Sequence, residues 1–110
     1  MNTIVLIGMP GTGKSTVGVL LAKALGMDFV DTDILIQLRE KSTLQGIIQK
    51  SGYLALRQIE QQVVLENDYV SKVVATGGSV VHSPKSMAKL KQAGKIIYMS
   101  CSIGQLRDRI

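Results

Sequence analysis

Between an apolar run and a helix-like run, the chain carries Gly8-Met9-Pro10-Gly11-Thr12-Gly13-Lys14-Ser15-Thr16. It fits the pattern G-x-x-x-x-G-K-[ST] at Gly8, Gly13, Lys14 and Ser15. No other stretch limits the fold as much. Its glycines let successive backbone amides turn inward as an anion-binding nest. A helix opening at Lys14 would add its positive dipole end to that nest. Lys14 would bring a positive charge on a flexible stem, and Ser15 a hydroxyl for a magnesium ion. At average residue frequencies the pattern arises by chance about 4 times per 100,000 positions, so coincidence is a weak explanation in a chain of 110 residues.

The flanking sequence supplies the strand and helix that such a loop requires. Asn2 to Ile7 is short, apolar and β-branched, as a buried strand is. Val17, Leu20, Leu21 and Ala24 recur at helical spacing, and Gly26 stands where a C-terminal cap belongs. Further along, Asp28 to Asp31 reads as a second strand. Thr32 then reads as the cap of a helix carrying Ile34, Leu35 and Leu38. Ser42 to Gln45 resembles a capping box before Leu44, Ile47 and Ile48, and Ser51-Gly52 closes that helix. A longer helix places Leu56, Ile59, Val63 and Val64 on one face. Val73 to Thr76 is a third strand ending at Gly77-Gly78-Ser79. Ser83, Pro84 and Gly94 bracket another helix, Ile96 to Met99 is a fourth strand, and Ile103 to Ile110 begins a further helix. Alternating apolar strands and helices imply a parallel sheet covered on both faces, with ligands outside the carboxyl ends of the strands. The loop, the two aspartates of Asp31-Thr32-Asp33 and Gly77-Gly78 all fall there.

Composition narrows the class. Hydrophobic residues are 45% of the chain, enough for a packed core. The net charge is +5, yet the lysines and arginines form no run of four, and there is one Phe and no Trp for stacking bases. Anionic small molecules explain the positive potential, and no nucleic-acid partner is expected. The apolar N-terminus is too short to span a membrane and lacks a basic leader, so a cytoplasmic protein with no membrane partner is expected. The single cysteine, Cys101, forms no internal disulfide and reads as a small buried hydrophobe.

The residues near the loop divide into candidates. Asp31 and Asp33 suit magnesium held through water, or an acceptor hydroxyl bound and deprotonated, or simply the capping and dipole of the helix that follows. Arg57 suits either a substrate carboxylate or an i,i+3 ion pair with Glu60, and the residues alone do not choose. Gly77-Gly78 permit close backbone approach to a ligand, or make an ordinary turn. His82, the only histidine, reads as a solvated or capping side chain. A nucleotide switch without an acceptor would need a metal-binding acid at the end of a later strand, and the third strand ends in Thr76-Gly77-Gly78.

In order and spacing, G-M-P-G-T-G-K-S-T-V-G, F-V-D-T-D, L-R-Q-I-E and A-T-G-G-S-V-V resemble the shikimate kinase family, and the likeness runs along the whole chain. The resemblance implies a three-layer P-loop NTPase fold, nucleoside-monophosphate-kinase-like. It implies transfer of the γ-phosphoryl group of ATP to the 3-hydroxyl of shikimate, a step toward chorismate and the aromatic amino acids. By that likeness Gly11, Thr12, Gly13, Lys14, Ser15 and Thr16 hold the ATP phosphates, and Ser15 and Asp31 serve Mg2+. Lys14, Asp33 and Arg57 are the catalytic set. Asp33, Arg57 and Gly78 bind shikimate, with Glu60 orienting Arg57, and the full-length protein is a monomer. A related kinase of another hydroxy acid such as gluconate, or a nucleotide-binding homologue without catalysis, is the alternative.

The chain departs from the family pattern in three places. Ser79 stands where a third glycine is common, and Ile48 and Leu56 stand where phenylalanines are frequent. Family members also continue with a lid bearing an arginine, a second substrate-binding arginine, a fifth strand and an adenine loop. Residues 1–110 are therefore expected to form one P-loop kinase domain, incomplete at its C-terminus and truncated after the fourth strand. By itself this fragment is expected to be inactive, with the sheet edge near Ile96 to Met99 exposed.

Overall fold

A computed structural model describes residues 3–8 and 13–99. The elements run β1 (Thr3–Gly8), α1 (Lys14–Leu25), β2 (Asp28–Asp31), α2 (Thr32–Glu40), α3 (Leu44–Ser51) and α4 (Tyr53–Glu66). After these come β3 (Lys72–Ala75), a 3-10 turn (Val80–His82), α5 (Pro84–Ala93) and β4 (Gly94–Met99). Cys101 and the helix expected from Ile103 lie outside the described residues. All four strands are parallel, in the order β2-β3-β1-β4.

Register turns the strand sequences into two packed faces. Val30, Val74, Val5 and Ile96 lie abreast across the sheet, and all four join one core cluster with Ile7, Val64, Tyr69 and Leu90 under α4 and α5. One residue along, side chains point to the other face. There Leu6 and Val73 pack with Ala22, Val17, Leu21 and Phe29 under α1. Val5, Leu6 and Ile7 are all almost wholly buried, as a central parallel strand requires. A third cluster, Ile36, Ile47 and Val63 with Leu35, Leu44, Leu56 and Ile59, joins α2, α3 and α4 beside the sheet.

The parallel sheet with helices on both faces agrees with the sequence expectation, and several details differ. The strands β1 and β3 are each displaced by one residue, and β4 starts at Gly94. On α1 the buried residues are Gly18 and Ala22, while Leu20 is 62% exposed. A Cβ at Gly18 would stand 2.4 Å from the Phe29 ring, so α1 makes its closest approach to the sheet at a glycine, with Val17 and Leu21 packing beside it. On α2 the buried pair is Thr32 and Ile36, while Ile34 and Leu38 face outward. Thr43, not Ser42, caps α3 by accepting from the Gly46 amide at 3.0 Å. Ser83 caps α5 with Pro84 in the first turn, and Gly52 and Gly94 close their helices as expected.

Tyr69 ties the amino end of the sheet to α4. Its hydroxyl donates to the Val64 carbonyl at 2.9 Å, and its own carbonyl accepts from Thr3 Oγ1. Burial pushes its phenol up to about 12. Because the folded state holds that proton more tightly, this stability is complete below the ordinary tyrosine range and is lost as pH rises toward 12. Tyr69→Phe should cost about 1–2 kcal/mol in urea unfolding at neutral pH by orphaning the Val64 carbonyl, and should flatten the alkaline loss. An unchanged midpoint with an unchanged alkaline limb would contradict that role.

Candidate active site

The carboxyl end of the sheet brings the charged residues together by register. Asp31 lies abreast of Ala75, which lies abreast of Leu6, and Leu6 faces α1. Asp31 therefore points toward the start of α1, where Ser15 Oγ donates to its Oδ2 at 2.7 Å. Its Oδ1 accepts from the Asp33 amide at 2.9 Å, so Asp31 is also the N-cap of α2. This corrects the expectation that Thr32 is the cap. Thr32 is wholly buried, and its Oγ1 accepts from the Gly77 amide at 3.2 Å, anchoring the loop after β3. Asp and Thr are both good caps, so D-T-D does not reveal which one acts.

Gly13 caps α1 in the left-handed region, at φ 83°, a conformation that favours glycine. Lys14, the first helical residue, donates from Nζ to the Gly8 carbonyl at 2.7 Å. Burial lowers its pKa, against the opposing pull of Asp33 and then Asp31. Asp33 is shifted upward, first by burial and then by Asp31, with Lys14 opposing. Thr76 Oγ1 donates to the Leu6 carbonyl at 2.9 Å and holds the β3 loop to β1.

These groups share a cavity of about 380 Å3. Gly13 to Thr16 line it from α1, Asp31 and Asp33 from the β2–α2 junction, and Thr76 to Gly78 from the loop after β3. Gly11 and Thr12, also expected to hold phosphate, lie outside the described residues. Arg57 is not in this cavity. It lines a neighbouring one of about 250 Å3 with Glu60, Ser79 and His82. A larger cavity, about 440 Å3, opens near Tyr69 and Lys89 before β3, away from the loop. Its polar groups are engaged internally: Lys89 donates to the Leu65 carbonyl, Asn67 to the Val63 carbonyl, and Asp68 accepts from the Val70 amide.

Glu60 stands between the two site cavities and was underweighted by sequence reasoning. It is 6% exposed, and its Oε1 accepts from Ser79 Oγ at 2.7 Å. A Cβ at Gly77 would meet Glu60 Oε2 at 2.3 Å and Asp33 Oδ1 at 2.8 Å, so a side chain there would displace the ends of both carboxyls. Of the two readings of Arg57, the i,i+3 ion pair with Glu60 is not formed: among the described residues the ion pairs within 4 Å are those of Arg39 with Glu40 and Glu66. The signal that could have found Glu60 was its i+3 and i+4 spacing to Val63 and Val64, which puts it on the buried face.

The oxygen donors at Ser15 and Asp31 fit a hard cation that keeps most of its water shell and takes one or two protein ligands, as Mg2+ does. No group of three or more acidic, histidine or cysteine side chains suited to a metal occurs among the described residues. His82 is exposed, as expected of a solvated side chain. Among the described residues no helix is long and apolar enough to cross a membrane.

The parallel sheet, the glycine-capped helix that follows β1 and the acid at the end of β2 define a P-loop NTPase-like α/β protein. The model of the shikimate kinase family matches residues 10–110, and the chain belongs to that family. It is 40% identical over 103 residues to the shikimate kinase of Paracidovorax citrulli, covering 91% of this chain and 56% of that protein. It is 40% identical over 111 aligned positions to that of Thermodesulfovibrio yellowstonii, covering 100% of this chain and 64% of the relative. The structure of shikimate kinase from Acinetobacter baumannii in complex with shikimate superposes with a TM-score of 0.87 at 33% identity, over 99% of this chain and 62% of that one. Shikimate kinase from Aquifex aeolicus gives 0.79 at 31%, over 94% and 62%. The chain thus spans 56% to 64% of the length of these relatives.

Burial raises the Glu60 pKa most, Asp33 adds to the rise, and Ser79 and Arg57 oppose it. A raised folded pKa means stability that is present below the ordinary Glu range and lost as pH rises through the folded value. Glu60→Gln, which keeps the acceptor for Ser79, should therefore raise the melting temperature at pH 7, with the gain shrinking in acid. A lower melting temperature at pH 7 in calorimetry would show the ionised carboxylate to be net stabilising.

Proposed function

We propose that the full-length protein transfers the γ-phosphoryl group of ATP to the 3-hydroxyl of shikimate, with Mg2+, releasing ADP and 3-phosphoshikimate. The observation that carries this reading is the convergence, in one cavity, of the glycine-capped start of α1, Lys14 and the Asp33 carboxyl. The Acinetobacter relative solved with shikimate supports the choice of acceptor. The reading extends to a cytoplasmic, monomeric full-length protein with no nucleic-acid or membrane partner.

In this mechanism Gly11 to Thr16 hold the triphosphate through backbone amides and the Ser15 and Thr16 hydroxyls. Ser15, and Asp31 through water, would hold Mg2+, which would supply positive charge against the phosphates. Arg57 grips the acceptor carboxylate with its planar fork, and Gly78 offers its backbone. Asp33 takes the proton of the 3-hydroxyl as that oxygen bonds to the γ-phosphorus. The bond from γ-phosphorus to the β–γ bridging oxygen breaks, and its electron pair leaves with ADP. Lys14 compensates the charge on the transferred group. An Asp33 that burial and Asp31 make more basic than an ordinary aspartate suits the proton's destination.

The test is a coupled assay of ADP release by the full-length gene product with shikimate, gluconate and nucleoside monophosphates compared. Shikimate should be the productive acceptor. Asp33→Asn should lower kcat by about 10^2- to 10^4-fold with ADP affinity retained. Arg57→Ala should raise the KM for shikimate and leave that for ATP unchanged. Productive turnover of gluconate or a nucleotide in place of shikimate would overturn the reading.

A further inference from the structure

We infer that Thr32 is a positioning residue for the acceptor: its buried hydroxyl holds the Gly77 amide, and that grip turns the Gly78 N–H toward the cavity that Gly78 shares with Asp33. The inference rests on the proposed use of the Gly78 backbone by the acceptor. It goes beyond that use by naming what sets the direction of the amide.

Asp31-Thr32-Asp33 divides two tasks between neighbouring side chains. Asp31 caps α2 by accepting from the Asp33 amide at 2.9 Å. Thr32, wholly buried at the first position of α2, is left to accept from the Gly77 amide at 3.2 Å. The carbonyl of Gly77 is committed as well, accepting from the Val80 amide at 3.3 Å. Both peptide planes that meet at Gly77 are thereby held. A trans peptide is planar, and its C=O and N–H point in opposite directions. The Gly78 N–H therefore points away from the Val80 amide, and no acceptor among the described residues takes it. Gly77 is buried and Gly78 half-buried, and Gly78 lines the cavity with Lys14 and Asp33. On the strand side, the Thr76 amide and Oγ1 both donate to the Leu6 carbonyl, at 3.2 and 2.9 Å. The loop is thus tied to β1 through Thr76 and to α2 through Thr32, and only the second tie acts on Gly77 itself. The Asp33 amide is held by Asp31, so the Thr32 hydroxyl can be removed without touching that bond.

Thr32→Val in the full-length protein keeps the shape of the side chain and removes the hydroxyl. The KM for shikimate should rise roughly two- to tenfold, the weight of one neutral hydrogen bond, with kcat and the KM for ATP unchanged. Thr32→Ser, which keeps a hydroxyl, should restore the parent KM. Amide hydrogen exchange, followed by NMR, reads the same point without turnover. The Gly77 amide should be protected in the parent and in Thr32→Ser and should lose protection in Thr32→Val, while the Thr76 amide, bonded to Leu6, stays protected in all three. A Gly77 amide still protected in Thr32→Val overturns the inference. So does loss of protection at Gly77 and Thr76 together, which would make Thr32 a general support of the fold. An unchanged KM beside a freely exchanging Gly77, or a fall in kcat as large as the rise in KM, also overturns it. Failure of the parent protein to phosphorylate shikimate would remove the functional reading, while the exchange of Gly77 would still decide what Thr32 holds.

Discussion

One carboxylate ties three elements together. Asp31 ends β2, caps α2 through the Asp33 amide and takes the Ser15 hydroxyl at the start of α1. A helix cap of this kind contributes about 0.5–2 kcal/mol. Its larger consequence is geometric. Because Asp31 is fixed by register beside Ala75 and Leu6, the hydrogen bond to Ser15 fixes α1 relative to α2, and with it Lys14 relative to Asp33. The buried Thr32 extends the same junction to the Gly77 loop, so strand ends that are not consecutive in the chain close around one cavity.

The charges gathered there are held against their own preference. Burial disfavours the ionised forms of Lys14, Asp33 and Glu60 alike. Opposite charges offset part of that cost: Lys14 for Asp33, and Arg57 for Glu60. What remains is a polar site inside a well-packed scaffold, the arrangement expected where function and stability pull apart. Rigidity comes from elsewhere, from the valine row under α4 and α5 and from the close seat of α1 on Phe29.

Where one residue type has one physical use, the sequence was readable. The loop glycines, the Ser83-Pro84 start of α5 and Gly94 beyond its end announced themselves, and the parallel sheet followed from the unbroken apolar runs. Reading failed where the choice lay between near-equivalents. Asp31 or Thr32, and Ser42 or Thr43, differ little as caps, and tertiary partners decided. It failed also where burial goes to small residues. Counting large hydrophobes put Leu20 inward on α1, whereas Gly18 and Ala22 are its buried contacts. In the site, Asp31, Asp33, Lys14, Ser15 and Gly78 converge as their motifs suggested, while Arg57 lies across Glu60 in a second cavity. No periodicity could show that a serine in a turn would donate to the Glu60 carboxyl.

The central claim is that an alcohol is presented to the nucleotide's terminal phosphate from between Asp33 and Arg57. A crystal structure of the full-length protein with ADP, Mg2+ and shikimate bound tests it most directly. The account predicts the 3-hydroxyl oxygen within hydrogen-bond reach of the Asp33 carboxylate, about 2.6–3.2 Å, with the shikimate carboxylate on Arg57 and Lys14 on the phosphate side. A shikimate seated with its carboxylate away from Arg57, or with Asp33 turned from the hydroxyl, would contradict it.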